Sequence, residues 1–292
     1  MLLLLEKIYM KKYKISPDKW QEISCLYTDR KFSMREIAEL YKVSLCTIRD
    51  ILNRLKIPRR NDSDSHKKYS VNEDFFTNID SEEKAYFLGL LVSDGNVYGN
   101  QTTLGLQAQD GYILELFKLA INYSGIVYFK KRSKERYKDT SCITISSKKL
   151  TQDLSKYGVV PCKSSITVFP DIPENLHRHF IRGVFDGDGC ISVFNHTNKK
   201  KKWYKSYIEK VFTITGSKEL ISSIQATLIL NCKLNKTKLH ICNNNPDIRI
   251  ISYSGKLQID RIKKYLYEDA TIFLKRKKDK FYDEQTISEN SH

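Results

Sequence analysis

Two segments, "YFLGLLVSDGN" at 86–96 and "FIRGVFDGDGC" at 180–190, repeat one unfavourable pattern and so constrain the fold more than any other feature. Each reads as a buried helix with a glycine in its middle, which costs about 1 kcal/mol against alanine. Each also ends on an aspartate, a carboxylate facing the negative end of the helix dipole. Gly89 and Ser93 are four residues apart, as are Gly183 and Gly187, so each pair lies on one helix face. Small residues at that spacing let two helices approach backbone to backbone. The expectation is that the two copies pack on each other, with Gly89, Ser93, Gly183 and Gly187 at the seam. Asp94 and Asp188 then stand side by side, where like charges repel unless a cation intervenes. Hard divalent ions such as Mg²⁺ prefer oxygen ligands of this kind.

The repeat extends beyond the motif. Asp80 and Glu83 read as a capping box before the first motif helix. Strands are expected at 96–98 and 102–109, then a helix near 111–122. The hairpin "GIVYFKKR" and "SCITISS" follows, and a helix near 147–157. The second copy offers "CISVFNH", "EKVFTITG", a helix near 217–229, strands near 233–241 and 247–253, and a helix near 255–267. Each half is thus α-β-β-α-β-β-α, and the fold class is α+β. Expected boundaries are a helical module at 1–58, a linker at 59–75, repeats at 76–170 and 171–282, and a disordered tail at 283–292.

"LGLLVSDG" and "IRGVFDGDG", with "YGVVPCKS" and "YLYEDATIFLKRKKDKF" closing the repeats, resemble the LAGLIDADG homing endonucleases in their single-chain, two-motif form. The resemblance covers roughly 76–282. It implies a saddle of two pseudo-symmetric repeats that cuts both strands of a DNA site across the minor groove and leaves short 3′ overhangs. It places the catalytic metal on Asp94 and Asp188, with Mg²⁺ expected and Mn²⁺ able to substitute. It also places a basic residue near each site, for which Lys163 and Lys277 match best, stabilising charge on the phosphate or positioning water. Gln109 is a weaker match for a water-orienting residue, and Gly216 stands at its place in the second copy. The chain departs from the pattern at Val92, which stands where the second copy has Asp186, and at Arg182, where a small or apolar residue is usual. Asp186 lies two residues before Asp188, points to another side of the helix, and is not assigned to the metal.

Charge agrees with a polyanionic partner, since 50 Lys+Arg against 34 Asp+Glu leave +16. In "TTLGLQAQ", Leu104, Leu106 and Ala108 alternate with Thr103, Gln107 and Gln109, giving a core face and a face able to read base edges. "GIVYFKKR" is read with Val127 and Phe129 inward and Tyr128, Lys130 and Arg132 outward. The run Lys199, Lys200, Lys201 and Lys202, with Lys205, sits in an expected hairpin loop beside phosphates. In "SMREIAELYKVSLCTIRDILNRLKI", Ser33 and Glu36 form a capping box and Ser44 caps a second helix bearing Ile48, Ile51 and Leu55. This resembles a helix-turn-helix, with Arg49 and Asn53 as DNA contacts and Lys42 where the turn usually carries glycine.

Double-stranded DNA is therefore the expected partner of a monomer. A non-cleaving regulator, or a maturase that binds intron RNA, stands as the alternative. Seven scattered cysteines without CxxC suit a reduced compartment, and Cys232, His240 and Cys242 lack a fourth ligand for zinc. Only four leucines precede Glu6, too few for a signal segment or a membrane span. No secretion signal or membrane association is expected, and the protein is read as intracellular, cytoplasmic or organellar.

Overall fold

The computed structural model describes residues 14–30, 32–58, 69–131, 138–196, 207–242 and 245–282. The chain divides into two compact units, residues 1–68 and 69–292. Among the described residues no helix is long and apolar enough to cross a membrane.

Among its described residues the first unit holds three α-helices: α1 (Trp20–Thr28), α2 (Met34–Leu40) and α3 (Leu45–Arg54). Its core includes Ile23, Ile37, Ala38, Ile48, Ile51 and Leu52. The Ser33–Glu36 capping box forms in both directions, and Ser44 accepts from the Thr47 amide. Lys42 adopts φ 51°, the left-handed turn conformation that glycine would enter without steric cost.

The second unit holds α4 (Glu82–Asp94), β1 (Gly95–Tyr98), β2 (Gln101–Gln107), α5 (Gly111–Ala120), β3 (Tyr128–Lys130), β4 (Thr140–Ser146) and α6 (Lys148–Lys156). The order then repeats as α7 (His177–Asp188), β5 (Gly189–His196), β6 (Tyr207–Ser217), α8 (Lys218–Cys232), β7 (His240–Cys242), β8 (Asn245–Ser254) and α9 (Lys256–Tyr267). A short α10 (Lys275–Asp279) closes it. The α-β-β-α-β-β-α order expected twice is found twice. The antiparallel sheets run β1-β2-β4-β3 and β5-β6-β8-β7. Their inner faces and helices share one hydrophobic core, from Phe75 in the first repeat to Phe281 in the second. Eight successive residues of α4, Ala85 to Val92, are buried, as a helix enclosed on all sides requires.

Several local expectations are corrected. Residues 69–75 are not linker. Tyr69, Val71 and Phe75 pack on the core, and the Asn72 amide donates to Ile121 O at 2.8 Å. The cap of α4 is Ser81, whose hydroxyl accepts from the Lys84 amide, while Asp80 pairs with Lys84 Nζ at 2.9 Å. β2 ends at Gln107 because a 3₁₀ turn, Ala108–Asp110, intervenes before α5. The strand expected at 233–241 shrinks to β7, since Lys233 turns left-handed at φ 51° to end α8. Phe129 keeps the expected inner face, in register with Ser141 and Leu106, yet it is 62% exposed because β3 is an edge strand.

Candidate active site

The two motif helices meet through their glycines. A methyl group on Gly89 would overlap Phe180 O and come within 2.9 Å of Val184 N. One on Gly183 would overlap Tyr86 O and come within 2.9 Å of Leu90 N. Further along, a methyl on Gly187 would overlap the Ser93 side chain and lie 3.0 Å from an Asp94 carboxylate oxygen. All four expected seam residues are therefore in the contact. Ser93 folds its hydroxyl back onto Gly89 O and Leu90 O, both at 3.1 Å, so its own polar atom enters the seam satisfied.

This contact delivers Asp94 and Asp188, the last residues of α4 and α7, to one place. Both residues keep access to solvent, yet nearby protein desolvates their carboxyls. Burial, then the charge of Asp188, pushes the Asp94 carboxyl up to about 6. Burial also raises Asp188, opposed by the charges of Lys163 and Lys277. Both carboxyls are thus held in surroundings that disfavour two negative charges, and a cation would relieve this. Among the described residues no group of three or more His, Cys, Asp or Glu is placed to hold a metal ion. Two hard oxygen donors, with water and phosphate oxygens completing the shell, is a set that suits Mg²⁺.

Lys163 and Lys277 occupy matching places. Each ammonium donates to the carbonyl that directly follows a motif acid, Lys163 to Gly95 O and Lys277 to Gly189 O. Both are nearly enclosed, 8% and 7% exposed, and burial lowers both pKa values. Their charges act on both acids. Lys277, chosen from a degenerate basic run, is thus singled out by its burial in α10. Gln109 is not drawn in: it is exposed in the 3₁₀ turn, where its amide donates to Gln107 Oε1 at 3.0 Å.

Asp186 and Arg182 do something else. Asp186 is fully buried and accepts from Tyr86 OH (2.9 Å), Tyr267 OH (2.8 Å) and the Leu274 amide (2.7 Å). Arg182, also fully buried, donates to Ile272 O, Leu266 O and Glu82 Oε1. Glu82 accepts the Thr271 amide as well, at 2.9 Å. These residues hold the end of α9 and the irregular backbone behind it, and Asp186 is taken up by that task.

Strand register shows what each sheet leaves open. In the first, rows Tyr98–Gln101–Ser146, Asn96–Thr103–Thr144, Gly105–Cys142–Tyr128 and Gln107–Thr140–Lys130 share the outer face. Thr103, Gln107, Tyr128 and Lys130 all lie on it. The second sheet presents Cys190–Thr213–Ser252, Ser192–Val211–Ser254 and Thr215–Ile250–His240. Sequence reading missed these residues, although "CISVFNH" carries the same period-two signal. Arg132, Lys199, Lys200, Lys201, Lys202 and Lys205 lie outside the described residues, as do 59–68 and the expected tail. In the first unit, Asn53 is exposed on α3 and Arg49 is partly exposed 3.9 Å from Asp50.

No family model matches the chain, and no curated protein matches it. Solved structures do. The I-LtrWI LAGLIDADG homing endonuclease bound to target DNA is similar at 15% identity and TM-score 0.47, over 71% of this chain and 88% of that one. The I-SmaMI LAGLIDADG homing endonuclease bound to cleaved DNA is similar at 13% identity and TM-score 0.47, over 70% and 87%. LAGLIDADG meganuclease I-AabMI bound to uncleaved DNA is similar at 11% identity and TM-score 0.47, over 68% and 87%.

Proposed function

We propose that this chain is a sequence-specific double-strand DNA endonuclease of the homing type, dependent on Mg²⁺ or Mn²⁺. One observation carries the reading: two motif acids are brought together by glycine contact, with a buried lysine held beside each. A protein that only bound DNA would have no use for the repulsion between those acids.

In this reading Asp94 and Asp188 would hold the cation, with phosphate and water oxygens completing its shell. The bound cation supplies a Lewis acid for the scissile phosphate and lowers the pKa of a water. Each lysine ammonium has three donors and uses one on a glycine carbonyl, leaving donors for a phosphate oxygen as charge builds there. No side-chain nucleophile is needed. The open sheet faces read base edges, and Lys130 contacts phosphate. The first unit adds DNA affinity through α3, with Arg49 and Asn53 in contact, because it is tethered to the nuclease. The chain acts as a monomer, since it contains both acids and both lysines.

The test is a cleavage and binding selection on a randomised duplex library with Mg²⁺, comparing wild type with Asp94→Asn/Asp188→Asn. Specific cutting by wild type alone supports the endonuclease. Specific binding with no cutting in either Mg²⁺ or Mn²⁺ would make the protein a regulator instead.

A further inference from the structure

The two lysines are alike in what they touch but differ in how they are braced, and each brace crosses to the other repeat. On the Lys277 side, the neighbouring Arg276 donates its Nε–H to Asp110 Oδ2 at 2.7 Å. Asp110 belongs to the first repeat, its side chain only 3% exposed. It occupies the N-cap position of α5, yet its carboxylate makes no capping bond there. An N-cap aspartate ordinarily accepts from its own helix; this one is turned across the repeat boundary. Tyr112, two residues on, reinforces the join, donating to Phe273 O at 3.1 Å and accepting from the Lys275 amide at 2.7 Å.

On the Lys163 side the brace carries no charge. Thr167 donates to Lys163 O at 2.8 Å, and Ser217 of the second repeat donates to Thr167 O. Ser217 keeps its local task too, accepting from the Leu220 amide at 3.2 Å to cap α8.

From this we infer that Asp110 is a positioning residue: through Arg276 it sets Lys277, and so governs cleavage of one strand more than the other. The inference rests on the endonuclease reading. Under the pseudo-two-fold, each lysine faces one scissile phosphate. Loss of the charged brace lets α10 shift without disturbing Lys163, and displacement of a catalytic group by about 1 Å is enough to cost up to a hundred-fold in rate.

The experiment places the duplex recovered from the library selection in a supercoiled plasmid and follows nicked and linear products with Mg²⁺. Wild type is expected to give linear DNA with little nicked circle. Asp110→Asn is expected to accumulate nicked circle, with the unbroken strand slowed about ten-fold or more relative to its partner and gel-shift affinity unchanged. Arg276→Lys keeps the charge but loses the Nε donor, and is expected to slow the same strand. It is also the variant to read if circular dichroism shows Asp110→Asn to be unfolded. Ser217→Ala is expected to slow the opposite strand. Equal slowing of both strands by Asp110→Asn and by Arg276→Lys, or no change in either, overturns the inference. Failure of wild type to cut would instead overturn the endonuclease reading beneath it.

Discussion

In the first repeat the motif helix carries Leu88 and Val92 at the places where the second carries Arg182 and Asp186. The chain after each repeat explains the difference. Behind α6 the backbone satisfies itself by local bonds, with the Gly158 amide on Ser155 O and the Val159 amide on Leu154 O. At the end of α9 and in the irregular stretch behind it, polar backbone groups at Leu266, Thr271, Ile272 and Leu274 find side chains instead. Buried backbone amides and carbonyls must be paired; one repeat does this with turns and the other with a buried arginine and aspartate. The two acids and two lysines of the candidate site stay matched, and the parts that hold them do not.

The largest effect is expected where the halves are alike. Asp94→Asn or Asp188→Asn alone should reduce cleavage of both strands about a thousand-fold or more in a plasmid assay, with binding kept, because in the proposed function one cation needs both acids. Strong residual cutting by either variant would show that the two acids act separately. Next comes the point where the halves differ. Arg182→Leu, which copies the first repeat, should cost about 3–5 kcal/mol in urea unfolding, since Glu82 loses its buried partner and Asp186 a nearby positive charge. Arg182→Leu/Asp186→Val should cost clearly less than the sum of the single changes. An additive result would mean that the two groups do not form one network.

A smaller effect sharpens the shared seam. Gly89→Ala and Gly183→Ala should each lower stability by about 1–3 kcal/mol, because the added methyl meets backbone that cannot yield. The two losses should agree closely; a wide gap between their melting temperatures would mean the seam is not symmetric. Last is a charged cluster of the first repeat, in which two exposed lysines cover a buried carboxylate. Asp153 accepts from Lys149 at 2.7 Å and Lys156 at 2.6 Å, and these bonds hold its carboxyl down at about 2. Its folded pKa lies below the ordinary 3.8, so its stabilisation is present above that value and is lost as pH falls toward 2. Wild type and Asp153→Asn should therefore differ by about 1 kcal/mol at neutral pH and converge near pH 2.

The seam and the site were legible in the sequence because they rest on local spacing and on duplication. Gly89, Ser93, Gly183 and Gly187 sit one turn apart, and the second copy made chance an inadequate account of the first. Lys163 was legible by its closing segment, and Lys277 less so, since burial is what separates it from its basic neighbours. What escaped were long-range partners. Nothing near Arg182 in sequence reveals that it will reach Leu266 and Ile272. Asp110 looks like an ordinary helix cap until Arg276, far along the chain, is placed beside it. The exposure of Phe129 escaped for a different reason: alternation gives two faces but does not say whether an edge strand has anything to pack against.

The glycine seam has a consequence for inheritance. Backbone touching backbone fixes the spacing of the acids, so no gradual change of side-chain size can retune it. The outer rows of the sheets, such as Asn96–Thr103–Thr144 and Cys190–Thr213–Ser252, are free of that contact and can change one residue at a time. Under the proposed function, a lineage of such proteins can therefore drift toward new target sequences while the stagger of the cut stays fixed, and its history should be readable as a changing surface around an unchanging pair of glycines.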